Sequence, residues 1–200
     1  MKRLTLLTLF ISLFFAINFS FAQDQDIQLN LQPDHEMKID GDANVRSWDA
    51  EVKTINADFV MRAFDINDLS SLTSDHFKTM ELTIPVNDIE SDSGRLTRNL
   101  QGYLKGDDHP QITFTLNNIN NVEVNGNSAT ITADGTINAA GVDHNTTMTV
   151  NATFNGNSVT FSGEQELLMT DFNIDPPTAV MGTIRARDEI RIPYTLTFSL

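Results

Sequence analysis

Apolar side chains recur at every second position over most of this chain. Ile112, Phe114 and Leu116 alternate with Thr113 and Thr115, the rhythm of a strand with one buried face. The same alternation predicts strands over 27–31, 52–63 and 80–86, and again around Val122, Ile131, Met148 and Val159. It predicts a last strand from Ile190 to Leu200. Pro33 ends the first strand, and Gly41 predicts a turn or bulge. Pro85, inside the 80–86 run, predicts an edge strand or a bulge. Asn125-Gly126 and Asn155-Gly156 each sit between alternating runs, which predicts type I′ hairpins with positive φ at both residues. Residues 67–75 read as a polar connection.

One stretch changes period. Leu96, Leu100, Tyr103 and Leu104 fall on one face of a short helix. Ser91, Asp92 or Ser93 is placed to cap it, and the Gly106–Pro110 breaker stops it. Eight to ten strands, one helix and no βαβ rhythm leave an antiparallel sandwich or an up-and-down barrel. Periodicity does not choose between a barrel that encloses a ligand and one filled by its own side chains.

The first 22 residues carry a different pattern. Lys2 and Arg3 precede an apolar run from Leu4 to Ala16, and Ser20-Phe21-Ala22 offers small residues at a cleavage site. That predicts a secretory signal peptide cut after Ala22 and a single domain over 23–200. The chain has no cysteine, so disulfides, thiolate metal sites and a cysteine nucleophile are excluded. The formal net charge is −14. Without Lys2 and Arg3 the chain keeps 11 basic against 27 acidic side chains. Such a field repels phosphate backbones and argues against nucleic acid as a partner.

Reaction chemistry is hard to find in this sequence. His35, His76, His109 and His144 are each expected on a loop, without metal-ligand spacing. No nucleophile elbow or phosphate loop occurs, and Ser74-Asp75-His76 places triad residue types side by side rather than in a spatial triad. Neither a catalytic group, a metal nor a cofactor is expected. Trp48, the sole tryptophan, is expected to pack in the core or at its rim, with ligand contact the alternative.

Three segments in order resemble the YceI-like family of secreted, polyisoprenoid-binding bacterial proteins. The first is the helix and breaker, Arg95-Leu-Thr-Arg-Asn-Leu-Gln-Gly-Tyr-Leu through Asp107-Asp-His-Pro-Gln-Ile-Thr-Phe114. The second is Gly135-Thr-Ile-Asn-Ala-Ala-Gly-Val-Asp-His144 with the Thr147-Met-Thr-Val150 strand. The third is Met169-Thr-Asp-Phe-Asn-Ile174, with Asn173 where the family usually has glycine. Asp143-His144 departs from the family's Thr plus basic residue, and Gly41 to Trp48 replaces its common His-Ser start.

The resemblance implies an all-β fold, an eight-stranded antiparallel lipocalin-like barrel with the helix near its mouth. It implies an apolar tunnel for a polyisoprenoid or other long-chain lipid such as a fatty lipid. With the export signal and no catalytic constellation or lipid-anchor cysteine, the expectation is a periplasmic or secreted protein that binds without reacting and is not stably inserted in a membrane. On the apolar parity, the expected lining is Phe59, Met61, Ile84, Phe114, Leu116, Ile131, Ile137, Met148, Phe154, Phe161, Met169, Phe172, Ile192 and Tyr194. Arg95 and Arg98 are the candidate contacts for a phosphorylated head group, with solvated surface arginines the alternative. The alternative is a solid-core β-sandwich serving adhesion or structure. Oligomeric state, a homodimer included, stays open.

Overall fold

The computed structural model describes residues 25–199. The expected signal peptide, its cleavage point and Leu200 lie outside them. Eleven of the twelve strand segments form eight long strands, and the twelfth is a short hairpin partner. The first is β1 (Asp26–Leu31) continued by β2 (Glu36–Ala43), interrupted at Pro33. The second is β3 (Ser47–Val52) continued by β4 (Asn56–Arg62). The third is β5 (Phe77–Pro85) continued by β6 (Ile89–Glu90). Helix α1 (Gly94–Tyr103) follows. Then come β7 (Gln111–Asn125), β8 (Ser128–Ala139), β9 (Val142–Asn155) and β10 (Ser158–Leu168). A two-residue β11 (Thr178–Ala179) leads into β12 (Ile184–Ser199).

Neighbours pair antiparallel throughout, and β12 returns to the start. It pairs with β2 through Tyr194↔Met37 and with β1 through Leu31↔Phe198. The sheet is a closed eight-stranded barrel, so the long strands leave no edge to be protected. Alternation therefore acquires a fixed meaning: one parity faces inward and the other faces water.

The two ends differ. At one end lie α1, the turn at 44–46, the turn at 140–141 and the long β10–β12 connection. At the other lie the β4–β5 connection and the tight turns after β7 and β9. The β4–β5 connection is more than polar linker. Two 3-10 turns, Leu69–Ser71 and Ser74–His76, bury Leu69 while Leu72 seals the same end.

Several local expectations are corrected. Residues 52–63 are not one strand; the second long strand breaks at 53–55. Pro85 is not on an edge, because β5 lies between β4 and β7. It is tolerated because the last β4 partner is Asn56, opposite Thr83, so Pro85 lies beyond it, beside the 53–55 break, and pairs with Gln111. Gly41 marks no turn: it sits inside β2 opposite Trp48, and the irregularity lies in β12 between Ala186 and Ile190. The two Asn-Gly hairpins turn on Gly126-Asn127 and Gly156-Asn157, since Asn125 pairs Ser128 and Asn155 pairs Ser158. Only the glycines have positive φ, 63° and 58°, the type II′ pattern rather than type I′. His144 is on β9, not on a loop.

Helix α1 begins as expected. Ser93 caps it, its Oγ accepting from the Leu96 amide at 3.4 Å. Gln101 Nε2 donates to the carbonyls of Asn87 and Ile89, tying the helix to the end of the third long strand.

Candidate functional site

The interior is filled at one end and hollow at the other. Three phenylalanines make the boundary. Phe59, Phe161 and Phe198 meet edge to face, with centroids 5.2–5.9 Å apart. Behind them Leu29, Met61 and Val159 are fully buried, and Phe154 packs against Phe64. In front of Phe59 and Phe161 a tunnel of about 380 Å³ runs to the end covered by α1. That is the size range of small-molecule pockets.

Exposure follows this division. Phe59, Met61 and Phe198 are inaccessible, whereas Phe114, Leu116, Ile137, Met148, Ile192 and Tyr194 are only half-buried although they point inward. Their free surface faces the tunnel. No Asp, Glu, Lys, Arg or His lines it among the described residues.

Of the fourteen residues expected to line a tunnel, twelve do so geometrically; Met61 and Phe154 sit in the packed end, outside the lining. Arg95 and Arg98 are exposed on α1 and also lie outside the lining. Leu96, Asn99, Leu100, Tyr103 and Leu104 supply an unexpected wall. Leu96, Leu100, Tyr103 and Leu104 form the apolar helix face at i, i+4, i+7, i+8, and the tunnel is what that face covers.

Glycine keeps the space open at three places. Gly41 lies under the Trp48 indole, where a Cβ would come within 2.4 Å of ring carbons. Gly135 lies under the Phe114 ring, and a Cβ at Gly163 would come 2.7 Å from the Tyr194 hydroxyl. All three aromatic residues line the tunnel. Each ring lies back against the barrel wall because the neighbouring strand has no side chain there.

The mouth is built from three sequence motifs. Met169 to Phe172 form a 3-10 turn ended by Asn173 at φ 55°, ψ 38°. Asn reaches this left-handed conformation at small cost, so it serves in place of glycine. Met169, Phe172 and Ile174 face the tunnel. His109, ahead of Pro110, lays its ring on Gly141 of the β8–β9 turn, and Lys105 Nζ donates to the Ala140 carbonyl at 3.4 Å. The helix breaker and that turn thus hold each other.

The YceI-like domain model matches residues 24–198. The chain belongs to the YceI-like family. No curated protein sequence matches it. Among solved structures it is similar to BcnA of Burkholderia cenocepacia, at 19% identity and a TM-score of 0.64 over 84% of this chain and 99% of that one. A polyisoprenoid binding domain from Saccharophagus degradans, implicated in plant cell wall breakdown, matches at 8% identity and a TM-score of 0.62, over 86% and 97% of the two chains. The Campylobacter jejuni YCEI protein matches at 19% and 0.54, over 76% and 84%. These likenesses agree with the closed barrel.

The YceI-like tunnel has one titratable wall group with a large shift. Burial pushes the Tyr194 phenol up from 10.0 to about 12. Above pH 10 the unfolded chain releases this proton first, so stability falls as pH rises from 10 towards 12. A rise of this size corresponds to about 3 kcal/mol. Chemical denaturation at stepped alkaline pH checks this: Tyr194→Phe flattens the slope across that window. An unchanged slope in the variant contradicts it.

Proposed function

We propose that this YceI-like protein binds one long-chain apolar lipid, an isoprenoid or similar chain, lengthwise in the tunnel. The lipid is carried or sequestered outside the cytoplasm. The observation that carries the reading is the uncharged tunnel, closed by phenylalanines at one end and opening under α1 at the other. Such a space takes an alkyl or prenyl chain by burying it and offers an ionic ligand no partner along its length. The twelve lining residues named above are the proposed contacts. Met148 and Met169 supply polarizable, adaptable surface for a flexible chain.

The binding description of the Saccharophagus domain supports this reading. The leader-like segment Lys2 to Ala22 supports export, and the work of the protein is holding rather than turnover. A phosphorylated head group at the mouth meets Arg95 and Arg98 on the solvent side of α1. The solid-core module is less well supported, because the inward side chains of half the barrel do not fill it.

Native mass spectrometry of protein purified from its own host, followed by lipid extraction, tests the proposal. A stoichiometric long-chain adduct is expected. The Arg95→Glu/Arg98→Glu variant is expected to lose phosphorylated lipid selectively and to keep neutral lipid. A bare polypeptide mass that stays bare after incubation with polyprenyl and fatty lipids overturns the reading.

A further inference from the structure

We propose that two joined hairpins at the tunnel mouth form a docking surface for an anionic phospholipid bilayer. Val45, Val180 and Met181 enter the headgroup and acyl boundary, and Arg46, Arg185 and Arg187 hold lipid phosphates. The proposal deepens the lipid-binding reading by supplying the cargo's route. It is tested by a readout that does not involve cargo.

The apolar surface comes first. The most exposed large hydrophobic residues among those described are Met181 at 105%, Val180 at 66% and Val45 at 61%. They occupy the tips of neighbouring turns. Val45 is in the β2–β3 turn, and Val180 and Met181 are in the β11–β12 turn. Asn44 binds the two turns together. Its Nδ2 donates to the Thr183 carbonyl at 2.8 Å, its Oδ1 accepts from the Arg185 amide at 3.0 Å, and its own amide donates to the Arg185 carbonyl at 3.0 Å. The two turns are therefore tied side by side.

Their backbone is also unusual. Val180 and Met181 have φ of 50° and 56°, ahead of Gly182 at 84°. A β-branched residue in the left-handed region is a strained choice where Asn or Gly would serve. In water this tip combines strain with exposed apolar surface. In a bilayer interface the same side chains are buried.

Charge supplies the second argument. Residues 43–48 and 176–187 carry three arginines and no carboxylate, in a chain of net charge −14. Asp42 flanks the patch but is engaged with Ser47 at 2.6 Å and Arg191 at 3.6 Å. Asp49, Asp175, Asp188 and Glu189 lie just beyond those segments, and Asp188 accepts from the amide and hydroxyl of Thr170 at 3.0 and 2.6 Å. An anionic surface repels most of this molecule and attracts this end, which orients the approach. Two copies would bring like-charged patches together, which opposes self-association through this surface.

Position is the third argument. The inner faces of these hairpins line the tunnel through Ala43, Trp48, Thr178, Ala179, Ile184 and Ala186. One continuous apolar wall runs from the exposed tip into the cavity. Docking by the tip sets the mouth against the source of the lipid.

Flotation of the full processed chain with phosphatidylglycerol-rich vesicles, against pure phosphatidylcholine vesicles, tests this. Binding to the anionic vesicles is expected, weakening in high salt. Val180→Asp/Met181→Asp and Arg185→Glu/Arg187→Glu are each expected to lower partitioning about tenfold or more, since each basic residue near an anionic surface contributes about 1 kcal/mol. Both variants should keep the parent melting temperature, which separates docking from folding. Absence of vesicle binding, or parent-like binding by both variants, overturns the proposal. So does a concentration-dependent dimer that Val180→Asp/Met181→Asp breaks, which assigns the tip to a protein contact. Vesicle binding without a co-purifying lipid leaves docking standing and removes the cargo reading. A lipid adduct without vesicle binding does the reverse.

Discussion

Phe59→Ala lowers the stability of the barrel by about 3–5 kcal/mol, the cost of truncating a fully buried aromatic residue. At about 2–4 °C per kcal/mol for a domain of this size, the melting temperature falls by roughly 10 °C. Phe59 is completely buried and touches two other rings, Phe161 and Phe198, edge to face. It is also paired in register with Leu29 and Met80, so its strand binds the first and third long strands together. Truncation leaves a cavity beside Phe161 and Phe198, at the floor of the tunnel. Met148→Ala is the control. Met148 faces the tunnel and is half-buried, so truncation enlarges a space that already exists and costs about 1 kcal/mol. Equilibrium denaturation of both variants checks the contrast. Equal losses contradict the division into a filled end and a hollow end.

The barrel's inward parity was legible in the sequence; the division along its axis was not. Phe59, Met61, Phe154 and Phe161 have the same inward parity, yet two of them line the tunnel and two do not. Parity fixes which face a residue occupies. Depth along the axis depends on stagger between strands distant in sequence, such as Tyr194 opposite Met37. The helix was legible for the opposite reason. An amphipathic face of four residues at helical spacing needs an apolar counterpart, and its cap, Ser93, stood among three candidates.

The errors have local causes. Rules about edges and turns mislead at Pro85 and Gly41, where a neighbour explains each residue. Pro85 has no β4 partner because that strand is broken, and Gly41 is covered by the Trp48 ring. Both Asn-Gly hairpins turn one residue later than the alternation predicts. In both, the chain uses glycine's freedom at the first central position and leaves asparagine at negative φ. Family resemblance, carried by the three motifs around the mouth, added what periodicity lacked, namely closure of the sheet.

Gly135→Val is expected to leave the fold in place and abolish loading of the tunnel. Gly135 is opposite Leu116 in the β7–β8 pair, and an added Cβ would sit 2.2 and 2.7 Å from carbons of the Phe114 ring. Ordinary contact needs well over 3 Å, and the Thr115 carbonyl at 3.1 Å blocks a shift of the new side chain along the sheet. The ring must therefore swing off the wall, and the open side is the tunnel. Overpacking of this kind costs about 1–3 kcal/mol, which a domain of this size survives. A phenyl group standing across a space of about 380 Å³ leaves no continuous path for a chain. The double variant Gly135→Val/Phe114→Ala removes the displaced ring and restores loading. Lipid stoichiometry by native mass spectrometry, with Trp48 fluorescence on titration of a polyprenyl lipid, reads both variants. Full loading of Gly135→Val, or failure of the double variant while it remains folded, shows that the glycine does not keep the tunnel open.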